Sequence, residues 1–369
     1  MITEFYEKLA KLAVNYAVEV KKGQRVAVIG PSIAEGLFQA IYVEVLKAGG
    51  HALLVPQIEG TQELLYKYGS EEQMLYIDDA RKLVINEYDC LISIFADYNP
   101  KKLSLIDPKI ISKVKGSPEN AKLMMTYMKR YADGELNWVI IPFPCHSFAQ
   151  EAEMDLFSYS EFVRKALQLD KEDPVKEWKE VEKNQDIIVE ILDKVETIQV
   201  LGEDTDLTLS VKGRKWINCC GHNNLPDGEV YTSPLEDSVN GHIRFTYPGI
   251  YQGKEIENIY LEFKDGKVIR ATADKAEDLL QEIIGIKNAD ILGEFAIGTN
   301  YGITQFTKNM LFDEKIGGTL HSALGSGPPK TGSKNRCPIH WDILKDMTLP
   351  GSKILADGNI IYEEGQWKI

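Results

Sequence analysis

The sequence predicts an α/β N-terminal domain with a parallel sheet, followed by a mainly antiparallel β (α+β) C-terminal domain. With 369 residues, the chain is longer than a single hydrophobic core usually organises, so two domains are expected. In its first half, short apolar runs alternate with helical segments, which is the order of elements in parallel sheets. In its second half, apolar and polar residues alternate over short stretches, which is typical of half-buried antiparallel strands.

Four apolar runs in the first half predict the strands of the parallel sheet. They cover residues 25–29, 51–55, 90–95 and 138–142. An amphipathic helix is expected over residues 4–21, and a second helix is expected to end at Lys47, shortly before two glycines. A strand, a helix and a second strand in this order form a βαβ unit, from which parallel sheets are built.

The domain boundary is expected within a helical region near the middle of the chain. Residues 159–196 are rich in Glu, Lys, Leu and Val, and they predict two helices interrupted near Asp173 and Pro174. Beyond them the pattern changes to short alternating stretches. We therefore expect an α/β domain over residues 1–185 and a β-rich domain over residues 186–369.

The second half contains four alternating stretches that predict strands. They cover residues 205–211, 241–247, 258–263 and 268–273. Asp265 and Gly266 separate the last two stretches and predict a hairpin. The clearest helix of this half is expected from Asp274, as its N-cap, to Gly285.

Composition excludes several classes of protein. Apolar residues make up 44% and charged residues 27%, which is the balance of a soluble globular chain. The net charge of −14 argues against nucleic acid and anionic membranes as partners. No apolar run reaches the length of a transmembrane helix. The five cysteines form no CxxC pair and residues 1–5 have no signal-peptide character, so we expect a cytoplasmic protein with reduced thiols.

Candidate metal ligands are concentrated in residues 292–342. Five candidates among the carboxylate and imidazole side chains of this segment are separated by glycine-rich turns: Glu294, Glu314, which follows Asp313, His321, His340 and Asp342. Oxygen and nitrogen ligands in this ratio are typical of a hydrolytic centre with Zn²⁺, Co²⁺, Mn²⁺ or Mg²⁺. The segment therefore indicates a metallohydrolase.

The local sequence pattern separately supports three of these residues as ligands. In an extended segment, His340 and Asp342 lie on the same face, so both can reach one ion or two neighbouring ions. A satisfied surface pair is the alternative, although the chain has only six histidines. Glu294 lies within an apolar strand, where a carboxylate is costly to bury without a partner or a metal.

Several separate segments together carry a resemblance to a known family. They are residues 22–26, 149–150, 205–214, 226–234, 293–296, 312–314, 321–325 and 340–342. In order and spacing, over nearly the whole chain, they resemble the aminopeptidase T family of metallopeptidases, which includes aminopeptidase S. The resemblance implies an α/β N-terminal domain, a β-rich catalytic domain, a homodimer, and two divalent metal ions that promote removal of N-terminal residues from short peptides.

The resemblance also implies a set of site residues. Glu229 corresponds to the first metal ligand, Glu294 to the carboxylate shared by both ions, and Glu314 to a further carboxylate ligand. The remaining ligand positions correspond to His321, His340 and Asp342. Either Glu294 or Glu314 is expected to act catalytically, by relaying a proton to the leaving amine.

The chain departs from the family at one place. After the segment that corresponds to residues 321–325, the family has a tyrosine that is thought to stabilise the tetrahedral intermediate. Here the sequence continues Ser-Gly-Pro-Pro over residues 326–329, and Tyr301, Lys334 and Arg336 are candidates for a substitute. The departure leaves two alternatives open: a metallohydrolase with a changed amide substrate, or a family member that binds metal and peptide with weak catalysis.

Overall fold

A computed structural model describes residues 3–369, which form two compact units. The first unit extends to Glu177 and includes Gly221–Pro226; the second comprises Trp178–Cys220 and Asp227–Ile369. An α/β unit followed by a mainly antiparallel β unit confirms the predicted fold class. The predicted boundary between residues 185 and 186 lies inside one helix, Pro174–Leu192. As a functional division of the chain, that boundary stays a prediction.

The first unit is built around a four-stranded parallel sheet. Its strands are β1 (Arg25–Pro31), β2 (His51–Gln57), β3 (Cys90–Phe95) and β4 (Asn137–Pro142), in the order β2-β1-β3-β4. Each of the four predicted apolar runs is one of these strands. Buried apolar side chains lie in β1, β3 and β4, because helices cover a parallel sheet, whereas the apolar residues of the edge strand β2 are only half-buried.

The helices of the first unit follow the strands in the expected alternation. They are α1 (Glu4–Leu12), α2 (Glu35–Lys47), α3 (Thr61–Tyr68), α4 (Glu71–Leu75), α5 (Asp79–Glu87), α6 (Pro108–Lys115), α7 (Pro118–Ala132), α8 (His146–Glu151) and α9 (Leu156–Ala166). The predicted helix over residues 4–21 is shorter, since α1 continues only through a π-helical turn, Ala13–Ala17. Helix α10 (Pro174–Leu192) runs into the second unit. Within residues 3–369, no helix is both long and apolar enough to cross a membrane.

The second unit contains an eight-stranded antiparallel sheet. In chain order its strands are β5 (Thr197–Gly202), β6 (Thr205–Ser210), β9 (Asn240–Arg244), β12 (Tyr260–Lys264), β13 (Lys267–Thr272), β17 (Lys353–Ala356), β18 (Asn359–Glu363) and β19 (Gln366–Trp367). Two short strands, β10 (Gly249–Tyr251) and β11 (Lys254–Ile256), form a separate pair. The predicted hairpin at Asp265 and Gly266 joins β12 to β13.

The prediction of Asp274 as a helix N-cap is wrong. The helix, α11, spans Glu277–Ile284 and its N-cap residue is Ala276. The carboxylate of Asp274 instead accepts a hydrogen bond of 2.6 Å from the side-chain amide of Asn258. A tertiary partner has therefore displaced the local capping bond that the sequence pattern suggested.

A five-stranded antiparallel sheet completes the second unit. Its strands are β7 (Ile217–Cys219), β8 (Glu229–Thr232), β14 (Leu292–Gly298), β15 (Thr319–Gly325) and β16 (His340–Asp346), in the order β16-β15-β14-β8-β7. A short helix, α12 (Met310–Asp313), lies between β14 and β15 in sequence. One face of this sheet contributes to the hydrophobic core through Val230, Phe295, Leu320, Trp341 and Ile343.

Candidate metal centre

The polar residues of the five-stranded sheet lie on the face opposite its core. Along a strand, successive side chains point to opposite faces. Glu229 therefore faces away from its buried neighbour Val230, and His321 faces away from Leu320. Likewise, His340 and Asp342 flank Trp341, which packs in the core, so the expectation that the two share one face is confirmed.

Glu294 lies on this polar face by the same alternation, since its neighbour Phe295 packs in the core, and a β-bulge just before it turns Leu292 to the core as well. Leu292 pairs with Leu324 and Glu294 pairs with the next residue, Ala323, so Gly293 is the extra residue on β14. In a regular strand, Leu292 and Glu294 would share a face. The bulge lets Leu292 pack in the core while Glu294 points to the polar side.

One group of donors consists of Glu229, Glu294 and His321. All three side chains are buried, with His321 fully enclosed. The Nε2 atom of His321 lies 3.2 Å from Glu229 Oε2 and 3.3 Å from Glu294 Oε1. The two carboxylates thus meet at one imidazole nitrogen, a donor set that suits a divalent cation.

A second group consists of Glu294, His340 and Asp342. The Nε2 atom of His340 lies 3.2 Å from Asp342 Oδ1 and 3.9 Å from Glu294 Oε2. The other ring nitrogen, Nδ1, donates a 2.7 Å hydrogen bond to the carbonyl oxygen of Ser326. Because a carbonyl can only accept, this bond fixes the proton on Nδ1 and leaves Nε2 of the neutral ring as the ligand atom.

Glu314 is brought to the site by the turn that follows α12. The preceding residue, Asp313, is fully buried, and its carboxylate accepts hydrogen bonds of 2.7 and 2.8 Å from the backbone N–H and hydroxyl of Thr307. The turn lies directly on β14, since a Cβ atom added to Gly298 would clash with the carbonyl of Ile316. Glu314 consequently joins His321 and Asp342 in a third group of donors.

All six predicted site residues are therefore brought together in three overlapping groups. Within each group, the candidate ligand atoms lie within 4.8 Å of one another. The groups share members: Glu294 belongs to the first two, while His321 and Asp342 link them to Glu314.

Lys315 is a member of this site that the sequence analysis missed. Its side chain is only 1% exposed, and its ammonium lies 2.5 Å from Glu229 Oε1 and 2.7 Å from Glu314 Oε1. A third carboxylate, that of Asp227, lies 3.5 Å away. Lysine is rarely buried unless it is paired. Its sequence neighbours carry no pattern that marks it as buried, so only the tertiary structure reveals the contact.

The charges of the site shift the pKa values of its groups. Burial raises the pKa of Glu229 to about 7, against the opposing effect of Lys315. Burial alone would lower the pKa of Lys315, but Glu229, Glu314 and Asp227 raise it well above its usual value. Burial likewise opposes protonation of His321, yet Glu229 and Glu294 raise the pKa of this imidazole to about 9.

The pKa values of His340 and its neighbour Asp342 are shifted by the same two causes, burial and nearby charges. Burial would lower the pKa of His340, but the neighbouring carboxylates, chiefly Asp342, raise it to about 10. Burial would raise the pKa of Asp342, but His340 and His321 lower it to about 2. The protein's own charges thus favour two imidazolium rings among carboxylates near neutral pH.

These shifts predict that cation binding releases protons. A divalent ion needs unprotonated imidazole nitrogens, whereas pKa values of about 9 and 10 leave both histidines protonated near neutral pH. Binding should release up to two histidine protons, and apparent affinity should rise by as much as about tenfold per pH unit for each proton displaced. Titration calorimetry with Zn²⁺ in buffers of different ionisation enthalpy measures this number. Affinity independent of pH would contradict the expectation.

Two further residues, Cys219 and Tyr301, are not part of the three donor groups. Cys219 groups with Asp227 and Glu229, but burial and these carboxylates raise the pKa of its thiol well above the usual value, which favours a neutral thiol over a metal-binding thiolate. Tyr301, a candidate replacement for the family's tyrosine, donates a 2.8 Å hydrogen bond to the carbonyl of Gly365. Its hydroxyl is therefore engaged outside the donor groups.

Comparisons with known proteins show the family and the fold of the chain. A sequence model of the family described as thermophilic metalloprotease (M29) matches residues 3–367. Aminopeptidase AmpS of Bacillus subtilis (strain 168) is 27% identical, over 98% of this chain and 99% of that protein. Aminopeptidase T of Thermus thermophilus is 25% identical, over 97% of this chain and 95% of its own length. The solved structure of wild-type AmpT from Thermus thermophilus has a TM-score of 0.85 at 20% identity, covering 99% of both chains, so the fold is shared.

Proposed function

The chain belongs to the thermophilic metalloprotease family M29, and on this basis we propose that it is a metal-dependent aminopeptidase acting on short peptides. The observation that carries the proposal is the convergence of three donor groups on one face of a sheet. Curated relatives matching nearly the full length of the chain are named aminopeptidases, which supports cleavage at the N-terminal peptide bond. The alternatives of a changed amide substrate or of weak catalysis have no comparable observation in their favour.

The donor set fits a divalent cation. Glu229 Oε2 is buried, and no residue in the described range 3–369 donates a hydrogen bond to it. The Nδ1 atom of His340 is hydrogen-bonded to the carbonyl oxygen of Ser326, which leaves the Nε2 atom of this ring free to bind a cation. We propose Glu229, Glu294, His321, His340 and Asp342 as ligands; carboxylates and imidazoles suit Zn²⁺, Co²⁺ or Mn²⁺, and Mg²⁺ less well. A bound ion supplies Lewis acidity, polarising the peptide carbonyl and making a water molecule more acidic.

Glu314 is our candidate for the group that moves the proton. Its side chain is 18% exposed, against 8% for Glu294, which lies between the two histidines. Burial raises the pKa of Glu314, and a carboxyl group with a raised pKa is suited to accept a proton and then to donate it. Glu294 is better placed as a ligand, because its two oxygens face different histidines.

The donor groups could hold either one metal ion or two. The first two groups share Glu294, which is the arrangement that a two-ion centre, as the family resemblance implies, would use. One group of three protein ligands with an open position is also sufficient for a hydrolytic centre with a single ion. Both versions accommodate Glu314 at the edge of the site.

The remaining features of the proposal come from the resemblance and from composition. We propose a homodimer, for which a monomeric mass in sedimentation velocity would be contrary evidence. We also propose a cytoplasmic location, supported by five free cysteines, and a division into an α/β N-terminal domain over residues 1–185 and a β-rich, metal-binding catalytic domain over residues 186–369. Nucleic acid and membranes are not proposed as partners, since the net charge is −14.

Hydrolysis of aminoacyl-p-nitroanilides tests the proposed activity directly. The chain loaded with Co²⁺ or Zn²⁺ should release p-nitroaniline from substrates with a free α-amine, and a chelator should reduce the rate by about 10²-fold or more. N-acetylated versions of the same substrates are the matched control and should not be cleaved. A metal-loaded chain as inactive as its chelated form would contradict the proposal, while hydrolysis of the acetylated substrates would indicate a different amide specificity.

A further inference from the structure

One end of the donor set already contains a cation supplied by the chain itself. The ammonium of Lys315 binds Glu229 at 2.5 Å and Glu314 at 2.7 Å, and it lies 3.5 Å from Asp227. Hydrogen bonds of this length between charged partners are strong. Two of these three carboxylates, Glu229 and Glu314, correspond to metal ligands in the two-ion centre that the family resemblance implies.

Backbone contacts and charge pairing both keep the ammonium of Lys315 in the site. Its backbone N–H donates to the carbonyl of Phe312, and its own carbonyl accepts from the N–H of Asn300, both at 3.0 Å. The carbonyl of the next residue, Ile316, packs so closely on Gly298 of β14 that no side chain would fit between them. Moving the ammonium to solvent would also leave buried carboxylates without their counter-charge, which is strongly unfavourable. The ammonium is therefore a permanent part of the site.

This resident cation changes what the first donor group can offer. Glu229 commits Oε1 to Lys315, so only Oε2 faces His321 and Glu294. The ammonium also neutralises part of the negative charge that would attract a second divalent ion. Within residues 3–369, Lys315 forms ion pairs with Asp227, Glu229 and Glu314 but not with Glu294, His340 or Asp342, so the group formed by these last three residues keeps its full donor set.

We propose that Lys315 takes the place of one of the two metal ions, so that each chain binds a single divalent ion next to a fixed ammonium group. The inference rests on the proposed function, because it takes the donor set to be a metal site. The ion would be held by Glu294, His340 and Asp342, and His321 and Glu229 Oε2 would complete the set. Glu314, bound by Lys315, is then left for proton transfer and is not a ligand.

Metal stoichiometry tests the inference without reference to turnover. Full-length protein is stripped of metal, dialysed against excess Co²⁺ or Zn²⁺, freed of unbound ion by gel filtration, and analysed by inductively coupled plasma mass spectrometry. The wild-type chain should retain one ion. Lys315→Met keeps the length of the side chain and removes its charge, which frees Glu229 and Glu314, so this variant should retain two ions.

Lys345 provides the matched control. It is also a lysine with 1% exposure in the second unit, but its ammonium binds the carbonyl of Arg244 at 3.0 Å and lies on the core side of β16. Lys345→Met removes a buried charge outside the donor set and should retain one ion. If Lys315→Met does not fold, as judged by circular dichroism, the wild-type count and the number of anomalous Co²⁺ peaks in crystals still decide the question.

The possible outcomes separate this inference from the proposed activity. Two ions per wild-type chain, or one ion in folded Lys315→Met, would overturn the role of Lys315, and chelator-sensitive turnover could still stand. No bound ion together with no turnover would overturn the proposed function and this inference at once. One ion in the wild type and two in Lys315→Met would support it.

Discussion

Replacement of Glu294 by glutamine is expected to reduce aminopeptidase turnover on the order of 10³-fold, a loss of about 4 kcal/mol of transition-state stabilisation. The two oxygens of Glu294 face different histidines, at 3.3 Å from His321 and 3.9 Å from His340. Glutamine keeps the shape but removes the negative charge that both donor groups share. Metal retention and turnover of aminoacyl-p-nitroanilides should therefore fall together, and both are measured on the same preparation.

The same substitution at a glutamate outside the site shows whether the loss of turnover is specific to Glu294. Glu282 lies exposed on α11, so Glu282→Gln should retain wild-type turnover and metal content. His340→Ala serves as a second site variant, since it removes the histidine of the group formed with Asp342. Activity of Glu294→Gln within about threefold of the wild type would mean that the catalytic centre lies elsewhere.

Replacement of Gly293 by alanine is expected to lower the free energy of unfolding by about 3 kcal/mol and to weaken metal retention. A Cβ atom at this position would clash with the carbonyl of Gly325 and lie 2.8 Å from that of Ser326. Relief of the clash requires the bulge to shift, and the bulge directly precedes Glu294, so the shift would displace its carboxylate from the histidines. Urea unfolding of the metal-free chain and the metal count of the loaded chain measure the two effects.

Gly285→Ala is the control for a glycine without such a constraint. Gly285 ends α11 with a φ of −69°, a conformation that alanine adopts readily, so little change in either quantity is expected. If Gly293→Ala were as stable as Gly285→Ala and bound metal normally, the metal site would not depend on the close packing of Gly293 next to Glu294.

Residues 292–342 show how far sequence reasoning extends at this site. The pairing of His340 with Asp342 followed from the alternation of a strand, because that rule is local. The bulge at Gly293 did not, since it depends on the backbone of Gly325 on the neighbouring strand. Glu294 was nevertheless selected, because a carboxylate in an apolar strand needs a partner wherever it points.

Other features depend on contacts that are distant in sequence. Asp274 does not cap the helix as expected, because its carboxylate accepts a hydrogen bond from Asn258, sixteen positions away. The position of Lys315 depends on the close approach of its turn to Gly298 and on Glu229, which is 86 positions distant. The first unit was easier to predict, because an apolar run such as residues 90–95 forms a buried strand whichever neighbour it pairs with.

The alternation of core and polar residues along β8, β14, β15 and β16 has a thermodynamic consequence. Each proposed ligand on these strands is flanked by a residue packed in the core, so its backbone is immobilised when the domain folds. Little conformational entropy is then left to lose when an ion arrives, which favours tight and geometrically selective binding. The same rigidity brings carboxylates together against their mutual repulsion. Hydrophobic packing on one side of the sheet thus holds the carboxylates on the other side close together despite their repulsion, and a bound cation would reduce that repulsion.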